Sequence, residues 1–86
     1  MSSSEKTLDI VLRGTSDANV RFEDLCNLLR GFGFGERVRG SHHVFFKDGV
    51  EEILNLQSRR GRAKPYQVRQ VRYVILKYKL GGAFDV

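Results

Sequence analysis

The sequence has a single cysteine and no long apolar run, and both shortages exclude whole classes of protein. Cys26 has no second cysteine to pair with, so neither an intramolecular disulfide nor a zinc site built from cysteines can form. The longest apolar run near the N-terminus is Ile10-Val11-Leu12, which is too short for a signal peptide or a membrane span. We therefore expect a cytoplasmic protein with no membrane partner.

Metal-binding side chains are also few, and they cluster at only one place. Glu51 and Glu52 follow shortly after Asp48. Adjacent carboxylates on a strand point to opposite faces, so this group is read as a solvated hairpin tip. We therefore expect no metal site and no cofactor.

Acidic residues are scarce in the second half of the chain. Residues 1–52 hold 7 Lys/Arg and 9 Asp/Glu, a net charge of −2, whereas residues 53–86 hold 8 Lys/Arg and only Asp85, a net charge of +7. An uneven distribution of this kind indicates a positive face of the type that binds nucleic acid. A solvated basic helix is the alternative reading, but a basic loop at 59–64 precedes the helix and adds to the same charge.

Hydrophobic periodicity predicts one α+β domain over residues 1–86. Apolar residues at helical spacing predict helices over 5–13 and 22–32, and a last helix from Pro65 to a stop at Gly81-Gly82. Strands are predicted over 35–39, 42–47 and 51–57, with Asp48-Gly49 as a hairpin signal. The expected fold is a three-stranded antiparallel sheet with the two main helices on one face. This is the layout of the double-stranded-RNA-binding domain, here with an extra short N-terminal helix.

Both histidines of the chain stand side by side in the segment Gly40-Ser41-His42-His43-Val44-Phe45. Histidine can take and give a proton near neutrality, which is what cleavage of a phosphodiester requires. Strand alternation places His42 on the face of Val44 and Phe46, and His43 on the opposite face. The alternative is that both are ordinary strand residues, one packed and one solvated.

From Phe22 to Leu80 the sequence resembles the HicA family of small bacterial ribonucleases. Three features carry the resemblance: a 25–29 helix that ends in Gly33-Phe34, the Gly40–Phe45 segment, and the apolar positions Val71, Ile75 and Leu80. The resemblance implies a double-stranded-RNA-binding-domain-like fold and an mRNA endonuclease that acts as the toxin of a toxin-antitoxin pair. It also implies a HicB-like protein antitoxin as partner, and His42 as the catalytic residue.

The chain departs from the HicA pattern at three places. Many members carry a further histidine late in the third strand, where this chain has Asn55-Leu56-Gln57. The basic loop at 59–64 is unusually rich in arginine. An N-terminal helix and connector over residues 1–20 precede a HicA-like core over residues 21–80.

RNA cleavage without a metal would use the 2′-hydroxyl of the RNA as nucleophile, with His42 as general base or general acid. Cationic side chains near His42 and on the basic half of the chain would hold the phosphates. The candidate substrate-binding residues are Arg39, Ser41, Lys47, Arg59, Arg60, Arg62, Lys64 and Arg69, and Arg72 is expected to add to the electrostatic binding.

The three tyrosines, Tyr66, Tyr73 and Tyr78, lie on the last predicted helix, where core packing or a partly buried hydroxyl is expected rather than base stacking. Two other functions fit the same composition. One is a non-catalytic double-stranded-RNA-binding module of the same fold. The other is a protein-interaction module whose basic face docks an acidic partner.

Overall fold

The computed structural model describes residues 3–84, in which helices come before and after an antiparallel sheet. Along the chain come helix α1 (Ser3–Arg13), helix α2 (Phe22–Gly31), strands β1 (Gly35–Arg39), β2 (His42–Lys47), β3 (Val50–Arg59) and β4 (Arg62–Ala63), and helix α3 (Pro65–Lys77). Short 3-10 turns at Asp17–Asn19 and Leu80–Phe84 precede α2 and follow α3. The predicted α+β class is confirmed. None of the helices within residues 3–84 is long and apolar enough to cross a membrane.

The sheet has four antiparallel strands in the order β1-β2-β3-β4, so the predicted count of three is wrong. The additional strand is β4, in which Arg62 pairs with Arg59 at the end of β3. The chain reverses through Arg60 and Gly61, whose φ angles of 52° and 80° both lie in the left-handed region. The segment predicted as a basic loop is therefore a tight hairpin that carries three arginines.

One hydrophobic core joins the helices to one face of the sheet. The sheet contributes Phe45, Leu54 and Leu56, each at most 2% exposed. The helices contribute apolar residues at helical spacing, which are Leu8 and Val11 of α1, Leu25, Cys26, Leu28 and Leu29 of α2, and Val68, Val71, Val74 and Ile75 of α3. Burial of these residues leaves the second face of the sheet, called here the open face, with exposed side chains.

Strand β2 carries its two histidines on opposite faces, as the alternation predicts. Phe45 is fully buried and His43 half-buried on the core face, whereas His42 is exposed on the open face. A two-residue turn, Gly40-Ser41, joins β1 to β2, and the φ angle of 58° at Gly40 is one that glycine adopts readily. The turn places His42 at the first position of its strand.

Backbone hydrogen bonds hold the entry of α2 against β4. The Ala63 N–H donates to the Val20 carbonyl at 2.9 Å, and the Phe22 N–H donates to the Gly61 carbonyl at 3.0 Å. Helix α1 packs onto the same core, and Val11 is fully buried there. The N-terminal segment and the arginine hairpin are therefore in direct contact.

Candidate active site

His42 is oriented by a side chain on the neighbouring strand. Its Nδ1 lies 3.0 Å from Oδ1 of Asn55, which sits diagonally across from it on β3. A carbonyl oxygen only accepts hydrogen bonds, so Nδ1 is the donor and the lone pair of the neutral ring is on Nε2. The contact orients the imidazole and leaves its second nitrogen, Nε2, directed away from Asn55, where it can act on a ligand.

A polar concavity of about 230 Å³ opens beside His42 between β3 and α3. Its polar lining consists of the imidazole, four amides and one phenol, contributed by His42, Asn55, Gln57, Tyr66, Gln67 and Gln70. This volume is smaller than the range of about 300–1,000 Å³ that is usual for drug-sized ligands. The concavity suits one small polar or aromatic group rather than a large molecule.

A chain of hydrogen bonds connects this concavity to the start of α3. Gln57 lies directly opposite His42, and its Nε2 donates to Ser41 Oγ at 2.9 Å. Lys64 Nζ in turn donates to Gln57 Oε1 at 3.0 Å. The structure therefore brings the predicted residues Ser41 and Lys64 together with His42, through a glutamine that the sequence pattern did not single out.

The predicted arginines of the basic segment lie next to Lys64. Arg59, Arg60 and Arg62 are exposed around a groove of about 460 Å³. Among residues 3–84, no carboxylate lies within ion-pair distance of any of these three guanidinium groups. They are available to bind anions.

Of the remaining predicted substrate-binding residues, some lie near His42 and one lies far from it. Arg39 pairs with His42 in the β1–β2 register and is exposed beside it. Arg69 lies on α3 along a second groove of about 640 Å³ that continues from the polar concavity. Lys47 stands at the other end of β2, about 17 Å along the strand from His42. The structure does not bring Lys47 to this site.

Arg72 does not belong to the cationic surface, and the expectation that it binds phosphate is wrong. Its guanidinium donates to both carboxylate oxygens of Asp17, at 2.9 and 3.1 Å. The side chains are 20% and 15% exposed. The charge of Arg72 is therefore neutralised inside the fold.

His43 takes part in a different cluster, on the core face. Its Nδ1 lies 2.7 Å from Oε2 of Glu36, and its ring packs edge-on against Phe22 at 5.0 Å between centroids. Arg30 of α2 donates to both oxygens of Glu36, and these bonds, with the contact to His43, lower the pKa of Glu36 to about 2. The cluster joins α2 to β1 and β2, and the two histidines do not share a site.

Two of the three tyrosines are exposed, so Tyr66 and Tyr73 do not pack in the core. Tyr66 is 48% exposed and Tyr73 58% exposed. Tyr78 is half-buried, and its hydroxyl donates to Glu52 Oε1 at 2.7 Å. The signal for this difference is present in the sequence, because Tyr66 and Tyr73 fall outside the stripe formed by the buried valines of α3.

The acidic hairpin is not a freely solvated tip, because Glu52 is paired. Lys77 Nζ donates to Glu52 at 2.8 Å, and this bond together with the Tyr78 hydroxyl lowers the pKa of Glu52 to about 2. Within residues 3–84, no three histidine, cysteine, aspartate or glutamate side chains are grouped so that they could hold a metal ion.

Taken together, these contacts place one oriented imidazole between a polar concavity and a set of unpaired cations. An imidazole can move a proton at an oxygen atom near neutral pH, and fixed cations stabilise charge that develops on phosphate oxygens.

The resemblance to HicA toxins stays a prediction. Compared with known proteins, the chain matches no protein-family model, no curated protein and no solved structure.

Proposed function

We propose that the protein is an RNA endonuclease, with His42 as its single general acid/base, and that it is the toxin of a toxin-antitoxin pair of the HicA type. The observation that carries this proposal is the hydrogen bond from His42 Nδ1 to Asn55 Oδ1 at 3.0 Å on the open face. It fixes the ring at the mouth of a polar concavity, as a general base or acid requires.

The reaction uses a nucleophile that the RNA itself supplies. The 2′-hydroxyl oxygen attacks the adjacent phosphorus, the bond from phosphorus to the 5′-oxygen breaks, and a 2′,3′-cyclic phosphate and a 5′-hydroxyl remain. Nε2 of His42 either accepts the 2′-hydroxyl proton or, when protonated, gives a proton to the leaving oxygen. One such group contributes on the order of 10²- to 10⁴-fold to the rate.

Cations beside His42 hold the substrate. Lys64 is fixed next to the concavity by Gln57, and Arg39 faces the same end of the sheet. The three arginines of the hairpin lie beside Lys64 and would extend this surface for a strand of RNA. These contacts position the phosphates and stabilise charge in the transition state.

The partner implied by this proposal is an acidic, HicB-like antitoxin in the cytoplasm. It competes with RNA for a basic surface, which favours a protein of opposite charge. The simplest mode of inhibition covers His42 and the arginine hairpin together.

A second candidate function, a non-catalytic double-stranded-RNA-binding module, is favoured by one observation. The three guanidinium groups at 59, 60 and 62 are free of carboxylate partners among residues 3–84, and binding through them would not need His42. This candidate predicts RNA affinity without cleavage.

The experiment that separates the two functions compares His42→Ala with His43→Ala. Purified proteins are incubated with RNA in EDTA, and each gene is expressed alone and beside its neighbouring reading frame. We expect the wild type to cut RNA and to stop growth, and to leave a 2′-deoxy substrate intact. His42→Ala should neither cut RNA nor stop growth, and should keep its melting temperature. His43→Ala is the matched control, which should lose stability but still cut.

Cleavage or toxicity of the His42→Ala protein would contradict the proposal. A wild type that binds RNA without cutting it would favour the second candidate. Loss of cutting in EDTA would overturn the metal-independent mechanism.

A further inference from the structure

Tyr66 stands where the three grooves of this surface meet. It lines the polar concavity beside His42, the groove of the arginine hairpin and the groove that holds Arg69. No other residue between positions 3 and 84 contributes to all three. A ligand that fills both the groove of the arginines and the concavity beside His42 therefore contacts this ring.

The ring of Tyr66 is exposed, and its hydroxyl has a buried partner. It is 48% exposed, while its hydroxyl accepts a hydrogen bond from Nε2 of Gln67 at 3.4 Å. Gln67 is only 1% exposed, and its Oε1 accepts the Lys64 N–H at 3.3 Å. A buried amide thus anchors the phenol and leaves the ring surface to the solvent, which is the arrangement of a stacking platform.

Tyr73 is exposed on the same helix but is less suited to this role. The Lys77 ammonium lies 5.7 Å from the centroid of its ring, so one face is already taken by a cation. Tyr73 lines only the groove of Arg69, away from His42. Of the two exposed tyrosines, Tyr66 is the one next to the imidazole.

Next to Tyr66, the side-chain amide of Gln70 is available to form hydrogen bonds with a ligand. Gln70 is exposed in the concavity, and within residues 3–84 its side chain has no hydrogen-bond partner. In contrast, both ends of the Gln57 amide are occupied by Ser41 and Lys64. A free amide offers donors and an acceptor in one plane, which can pair with the edge of a nucleobase.

We propose that Tyr66 stacks against an unpaired nucleobase next to the phosphate at His42 and that Gln70 bonds to the edge of that base. This inference rests on the proposed RNA-cleaving function and names the substrate class, which is single-stranded RNA with at least one base turned out of the stack. Recognition of single strands by stacking on aromatic side chains and by contacts to base edges is general among RNA-binding proteins. Duplex RNA, whose bases remain stacked, is excluded from this contact.

The test measures binding to octanucleotides that the proposed reaction cannot cut. The probes are four single-stranded homopolymers with 2′-deoxy sugars and an abasic octamer with the same phosphates, and binding is followed by fluorescence anisotropy. We expect Tyr66→Leu to bind at least one homopolymer about 5- to 150-fold more weakly, and Tyr66→Phe to stay close to the wild type. The abasic octamer should bind wild type and Tyr66→Leu equally.

Two controls separate stacking from effects on charge or fold. Tyr73→Leu removes an exposed tyrosine of the same helix and should leave all affinities nearly unchanged. The salt dependence of Tyr66→Leu should match that of the wild type, because a stacked ring releases no counterions. Equal binding of all homopolymers by Tyr66→Leu and wild type, or an equally weakened binding of the abasic octamer, would overturn the proposal.

Base reading is tested by replacing Gln70 with Leu. The variant should reduce the difference in affinity between the most tightly and the most weakly bound homopolymer. If the four affinities kept the same ranking and the same range, Gln70 would not be the residue that contacts the base edge. Because these probes cannot be cut, the two proposals fail separately. Stacking without RNA cleavage would refute the nuclease alone, and cleavage with unaltered binding by Tyr66→Leu would refute the stacking contact alone.

Discussion

Arg72 of α3 binds Asp17 of the N-terminal 3-10 turn through two parallel hydrogen bonds, at 2.9 and 3.1 Å. The same guanidinium donates to the Val11 carbonyl at 3.1 Å. The pair joins residues that are 55 positions apart and lie mostly out of contact with solvent. Hydrogen bonding from Arg72 also lowers the pKa of Asp17 below its ordinary value.

Removing this carboxylate should destabilise the protein. Asp17→Ala leaves a mostly buried guanidinium without its partner, and we expect a decrease of about 1–3 kcal/mol in the free energy of unfolding. Urea denaturation at pH 7 measures this decrease, and Asp9→Ala, which breaks an exposed ion pair with Arg13, is the matched control. Equal decreases in the free energy of unfolding for the two variants would show that the Asp17–Arg72 pair stabilises the fold no more than an exposed ion pair does.

The contact between His42 and Asn55 predicts a pH-dependent effect on cleavage. Asn55→Asp puts a carboxylate beside the Nδ1–H, which favours the protonated ring and should move the pH–rate profile about one unit higher. Asn55→Leu should lower kcat without shifting the pH–rate profile, because it removes the hydrogen bond that orients the ring and adds no charge. The pH–rate profiles of the three proteins test Asn55 as a positioning residue, and coincident profiles with equal rates would contradict that role.

The arginine hairpin predicts how RNA affinity depends on salt. Replacing Arg60 and Arg62 with Ala should reduce the slope of log K against log salt concentration by roughly one unit for each phosphate that is no longer bound. Arg13→Ala removes one arginine from α1, where the side chain is exposed and paired with Asp9, and should leave the slope nearly unchanged. If the double variant retained the full slope, the phosphates would lie on another surface.

The cluster of Glu36, Arg30 and His43 predicts the response of stability to acid. The pKa of Glu36 is lowered to about 2 in the folded protein, whereas an unfolded glutamate has a pKa of about 4.3. The stabilisation is therefore complete above about pH 4.3 and is lost as the pH falls toward 2. Glu36→Gln should be less stable at pH 7, and its stability should fall less between pH 5 and pH 2, as measured by thermal unfolding across that range.

Much of the fold could be predicted from local pattern. Helix α2 and the first two strands follow from apolar spacing and from the turns at Gly40-Ser41 and Asp48-Gly49. Strand β4 could not be predicted, because Arg62 and Ala63 carry no strand pattern of their own. They become a strand only because the chain folds back onto the end of β3 and is held by the entry of α2.

The site could be predicted only in part, for a related reason. His42 can be picked out as a candidate catalytic residue from its residue type and its position after a turn. Its hydrogen-bond partners cannot, because they depend on the register between β2 and β3. Counting back from the Asp48-Gly49 turn would place Asn55 opposite His42, whereas the register shifts near Phe45 and puts Gln57 there instead. The exposure of Tyr66 follows from its position outside the stripe of buried valines on α3, but its place beside His42 depends on how α3 packs against the sheet.

The two backbone hydrogen bonds between β4 and the entry of α2 have a thermodynamic consequence. Any opening that detaches Val20 from Ala63 also releases one side of the hairpin that carries the three arginines. If the hairpin binds a polyanion, as proposed, that binding is linked in free energy to the docking of residues 3–20. By reciprocity, a polyanion that binds the docked state more tightly would stabilise the docking of the N-terminal segment, and a ligand that undocks this segment would lower the affinity for the polyanion by the same factor.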